Sequence, residues 1–175
     1  MFCFFKKFIF ILTIFLIFHS NLNSDVPYFV DFKYILNESK AGKEAQTYLK
    51  KKLNNGIKQL KDKEKSIQKA EKKIIEQKKI LAAEEYKKKV NDLRNQVASL
   101  QKERDNLLNS VAKQRKKARS ELLKNLNPII QDYMKEKKIR MVIDKKSILL
   151  ADENLDLTKE IIELLNKKLK SIKLN

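Results

Sequence analysis

Apolar positions in the middle of the chain recur with a helical period. Leu53, Leu60, Ile67, Ile74 and Leu81 stand seven residues apart, so one heptad position stays apolar over four repeats. Further along, Val90, Val97, Val111 and Ala118 fill one seam position, and Leu93, Leu100 and Leu107 fill another. Lys63, Arg104 and Gln114 intrude on these seams, which predicts a thin, partly wet helix–helix contact rather than a strong zipper. No glycine or proline lies between Gly56 and Pro128, so no strong helix breaker interrupts residues 57–127.

On either side of this region the pattern changes. Residues 28–32 (Tyr28, Phe29, Val30, Asp31, Phe32) are aromatic and β-branched and predict a strand, with Pro27 at its start, where a strand tolerates proline. A second strand is expected over 139–144 and a third over 148–151. Isolated strands are unstable in water. Pieces so far apart share a sheet only if the helical region doubles back. The heptad phase breaks at 82–86, and the reversal is expected there. The expected fold class is α+β: a small β-rich oligomerisation body (25–41 and 128–175) and a helical hairpin arm (42–127) with limbs ~60 Å long.

Within the body, 33–39 reads as a helical turn or two, and Ala41 with Gly42 as the break before the arm. Pro128 reads as a kink or the return to the body, followed by an apolar helical face at Ile129, Ile130, Tyr133 and Met134. Asp156 is placed to cap a last helix whose apolar face is Leu157, Ile161, Ile162, Leu164, Leu165 and Leu169. A body this small leaves sheet edges open and buries little, so joining copies of the chain would solve both problems.

Residues 1–24 read as a cleaved secretory leader. Lys6 and Lys7 precede an apolar run over 8–18 that is broken only by Thr13, and small and polar residues follow to Ser24. The run is short beside the ~20 residues that a membrane-spanning helix needs; an uncleaved anchor is the alternative. Removing the leader also removes Cys3 and His19. What remains has no thiol nucleophile, histidine base or His/Cys metal site. No enzyme, cofactor or metal is expected. Basic residues exceed acidic ones by 40 − 22 = 18, and by 38 − 22 = 16 without the leader's two lysines. Such a charge favours anionic partners, although lysines also serve as ordinary solvated helix residues.

The most specific residues lie at the two ends. Residues 28–32 are followed by Ile35, Leu36, Asn37, Glu38, Ser39, Lys40, Ala41 and Gly42. Far downstream come Met141, Val142, Ile143 and Asp144, then Ser147, Ile148, Leu149 and Leu150, then Asp156, Leu157 and Thr158. With the leader and the lysine-rich middle, this resembles the Skp/OmpH family of periplasmic chaperones over nearly all of the mature chain. The resemblance implies a homotrimer built through a β-rich body, with helical arms that hold unfolded outer-membrane β-barrel proteins between them without ATP. It implies a periplasmic location and an oligomerisation body that includes Tyr28, Phe29, Val30, Phe32, Met141, Val142, Ile143, Ile148 and Leu149. Lys72, Lys73, Lys78, Lys79, Lys87, Lys88 and Lys89 are candidate contacts for a client or for anionic lipid or lipopolysaccharide. Two rival readings carry different expectations. A membrane-anchored envelope tether or stalk would keep residues 8–18 as its anchor. A basic nucleic-acid binder would need a cytoplasmic location, which the leader contradicts, so no nucleic acid is expected.

Overall fold

The computed structural model describes residues 26–174. The leader at 1–24, with Cys3 and His19, lies outside the described residues. Strand β1 (Tyr28–Val30) is followed by helices α1 (Phe32–Glu38), α2 (Lys40–Gln77) and α3 (Ala83–Lys137), strand β2 (Val142–Asp144) and helix α4 (Thr158–Lys168). Single turns of 3-10 helix at Lys145–Ser147 and Glu153–Leu155 connect β2 to α4.

Helices α2 and α3 pack against each other as the limbs of a hairpin. At 1.5 Å per residue, 38 and 55 residues make them ~57 and ~83 Å long. The reversal occupies 78–82, slightly before the expected 82–86. Ala82 takes an extended conformation (φ −61°, ψ 147°) and α3 restarts with Glu84 and Glu85 in its first turn, where the helix dipole favours acids. The hairpin is also the crossover that parallel strands require. β1 and β2 pair parallel, with Tyr28 opposite Val142, Phe29 opposite Ile143 and Val30 opposite Asp144.

Three local expectations are corrected. Phe32 does not extend β1: Asp31 accepts a hydrogen bond from the Tyr34 backbone N–H (2.8 Å) and caps α1, so Phe32 starts a helix and packs on the core from there. The break before the arm falls at Ser39 rather than at Ala41 and Gly42. Ser39 is fully buried, ends α1 with its backbone N–H on the Ile35 carbonyl, and caps α2 by accepting from the Gly42 N–H at 3.2 Å. Pro128 does not return the chain to the body, because α3 runs through it to Lys137. Proline in a helix interior removes one i→i−4 hydrogen bond and costs ~3 kcal/mol, but Ile129 and Ile130 beside it are buried in the core and hold the helix in place. The helix stops at Lys138, a left-handed residue (φ 55°, ψ 31°), with the Ile139 N–H reaching back to the Met134 carbonyl at 2.8 Å.

The main core sits in the body. It gathers Val30, Ile35, Ala41, Leu122, Leu126, Ile129, Ile130, Leu157, Ile161 and Leu165 from β1, α1, the near ends of the arm helices, and α4 with its entry. A second cluster of Ala45, Leu49, Val111, Ala118 and Leu174 fills the root of the arm. Beyond the root, Leu60 is the last buried arm residue, and none over 61–110 is buried. The seam is thin, as its polar intrusions predict.

Candidate functional site

The edge of the body is the first candidate surface. β1 is paired on both sides, with β2 on one and a single bridge to Asp156 on the other, where the Leu157 N–H donates to the Phe29 carbonyl (2.9 Å). Among the described residues β2 is paired only with β1, so its outer edge is open. Phe29 and Val30 are buried inside their own chain, and Tyr28 and Val142 pack on the core half-buried. Ile143 is half-buried opposite Phe29. Ile148 is half-buried as well, whereas Met141 is 57% exposed, Leu149 100% and Leu150 95%.

The strand expected over 148–151 is absent from the single chain. The Asp144 carboxylate accepts from the Lys146 N–H and turns the chain at Lys145–Ser147. Ile148 then takes an extended conformation (φ −115°, ψ 132°) that no strand among the described residues pairs with. The chain bends at Leu149 and Leu150, so only Ile148 has strand-like dihedrals.

Asp156 ties the edge to α4. Its carboxylate accepts from the Thr158 N–H two residues on (2.9 Å) and from Lys145 Nζ (3.2 Å); it stands one residue before the N-cap of α4, which is Leu157 rather than the expected Asp156. Thr158 Oγ1 in turn accepts from the Asp31 N–H (2.9 Å). Partial burial would push the Asp156 carboxyl up, but the hydrogen bonds from Thr158 and the charge of Lys145 outweigh it and hold its pKa below the ordinary 3.8. Lys145 also lies over the Phe29 ring, 5.6 Å from its centre.

The arm carries the second candidate surface. Lys72, Lys73, Lys78, Lys79, Lys87 and Lys88 are all exposed. Lys89 differs from them: it is half-buried and folds back toward Gln77 Oε1 (3.4 Å) and Glu85 (3.7 Å), so it helps close the tip. Ile80 in the turn is 83% exposed between these lysines, and Ile75 is 61% exposed. Residues 50–90 carry 15 Lys and 6 Asp/Glu, an excess of 9 positive charges. Midway along, Lys63 pairs with Glu103 across the seam. Both are well exposed, so the pair contributes ~0–1 kcal/mol.

The sequence did not reveal where the body meets the arm. An open groove of about 1390 Å³ lies there, floored by apolar residues that include Phe32, Leu36, Leu49, Leu53 and Leu122. Its rim holds Lys33, Lys43, Lys50, Arg115, Arg119, Lys145 and Lys146 against Asp31, Glu38 and Asp144, seven cations to three acids. Among the described residues no cluster of three or more His, Cys, Asp or Glu could hold a metal, and no helix is long and apolar enough to cross a membrane.

Residues 28–165 match the family described as Outer membrane protein (OmpH-like). The chain belongs to that family. The OmpH-like match spans β1, the whole arm and most of α4, so the ends and the middle are covered together. An uncharacterized protein of Aquifex aeolicus (strain VF5) is 32% identical over 142 residues, covering 79% of this chain and 84% of that one. The fold is similar to the crystal structure of a protein from Caulobacter crescentus CB15 described as an outer membrane chaperone (OmpH-like). The TM-score is 0.78 at 19% identity, over 85% of this chain and 89% of the other. The α+β class expected from the sequence, a long helical hairpin on a small strand-containing body, is the fold of this OmpH-like chain.

Proposed function

We propose that this protein is an ATP-independent periplasmic holdase chaperone, exported by a cleaved leader, that keeps unfolded outer-membrane β-barrel proteins from aggregating. The observation that carries the reading is the arm of an OmpH-like chain: a long two-helix projection with a basic surface, rooted beside an apolar groove with a basic rim. An unfolded β-barrel chain exposes strands that would otherwise pair with one another. A cationic surface attracts an acidic client over a Debye length of ~8 Å at physiological salt. Weak contacts spread over an arm and its root hold by avidity, and release needs no nucleotide.

The working unit is a homotrimer. The open edge of β2 and the bent, unpaired segment at 148–150 are the two halves of an intermolecular contact, and burying Leu149 and Leu150 there removes bare apolar surface from water. A ring of such head-to-tail contacts closes on itself. At the tips, Ile80 among exposed lysines suits brief contact with an anionic lipid or lipopolysaccharide surface.

The test is direct. A urea-unfolded outer-membrane barrel protein is diluted into buffer with and without the purified protein, and turbidity and light scattering are followed without nucleotide. Suppression near a stoichiometric ratio of oligomer to client is expected. Unchanged aggregation in the presence of a folded oligomer would overturn the reading and leave the envelope tether as the better account.

A further inference from the structure

We propose that residues 169–174 form a strap that ties the root of the arm to the body and sets how freely the arm swings. After the last turn of α4 the chain leaves the helix, and 170–174 has no regular structure. Leu174 is nevertheless only 3% exposed, less than any residue of the second cluster it completes. It seats among Ala45, Leu49, Val111 and Ala118. Two of these are alanines, whose short side chains leave a notch on the arm that a leucine fills. Ile172 packs against both the main core and this second cluster, so the segment spans the two.

One amide joins the three segments. Gln114 Nε2 donates to the Leu174 carbonyl at 2.5 Å, and Gln114 Oε1 accepts from Lys52 Nζ at 2.9 Å. The same ammonium reaches Ser110 Oγ at 2.9 Å. A glutamine that interrupts the α3 seam thus links α2, α3 and the strap. The burial pattern agrees: the arm is packed where the strap reaches, and over 61–110 nothing is buried. A seated strap therefore anchors the near end of a lever whose far end has little to stiffen it. Its bearing on how wide the cage opens rests on the holdase reading above; its effect on the arm root does not.

Amide hydrogen exchange on the whole protein tests the strap without any client. With Leu174→Asp, amides over 45–60 and 107–118 should exchange about tenfold faster or more, while those over 126–134 in the body keep their protection. Leu174→Met, which keeps the apolar plug, should leave both regions protected. Unchanged protection at the arm root in Leu174→Asp would overturn the proposal. Equal acceleration in body and arm would also overturn it, by making Leu174 an ordinary core residue. A protein that fails to hold clients yet shows the selective pattern would sink the holdase reading and leave the strap standing.

Discussion

At the scale of single residues, the two glycines do different work. A Cβ on Gly42 would sit 2.0 Å from the Leu36 carbonyl oxygen, which is backbone and cannot step aside. Gly42→Ala should therefore destabilise the protein by ~2 kcal/mol or more, read as a lower urea midpoint. A Cβ on Gly56 would meet the end of the Leu107 side chain, which can rotate away. Alanine's better helix propensity, worth ~1 kcal/mol, offsets that adjustment, so Gly56→Ala should change stability by less than ~1 kcal/mol. Asp156 carries a pH dependence. Its carboxyl is held below 3.8 in the folded chain, so its charge stabilises the fold above that value, and the stabilisation is lost as pH falls through the lowered folded pKa. Asp156→Asn keeps an oxygen for the Thr158 N–H and loses the charge. It should cost ~1 kcal/mol at pH 7 and almost nothing at the acid end, as chemical denaturation at both pH values would show.

At the scale of elements, the bare pair Leu149 and Leu150 separates the fold of one chain from its assembly. Neither touches the core, so Leu149→Asp with Leu150→Asp should leave helix content and thermal unfolding of the single chain nearly unchanged. The same double variant should shift the mass by light scattering from oligomer to monomer; an unaltered mass would place the contact elsewhere. This pair also explains what could be read in advance. The arm was legible because a seven-residue period over four repeats depends only on neighbours in sequence. The strand over 148–151 is legible in composition but not in outcome, since a strand needs a partner and the described residues supply none. The break at Ser39 is not legible because Gly42, three residues on, reads as a breaker. In the fold that glycine is a point of close approach inside a helix, and the serine three residues earlier makes the break. The reversal at 78–82 has neither glycine nor proline to announce it. The groove at the arm root and the seat of Leu174 join residues more than 50 positions apart, and no local pattern carries that information.

At the scale of the whole molecule, the parallel pairing of Tyr28 with Val142 sets an order of events. The first strand to emerge during synthesis must wait for the last third of the chain. Helices α2 and α3 need only local contacts, while the body needs contacts across more than a hundred residues, which slows its closure. The arm is therefore the splint that brings its own two ends together. Its length becomes an adjustable dimension independent of the body, because the strands sense only that the limbs return in register. Removing one heptad from each limb at facing positions, 61–67 with 97–103, should shorten the reach by ~10 Å. Such a deletion should leave the helix-capped body and its strand register as they are, so that, on the holdase reading proposed above, the reach of the arms changes in evolution without redesign of the body.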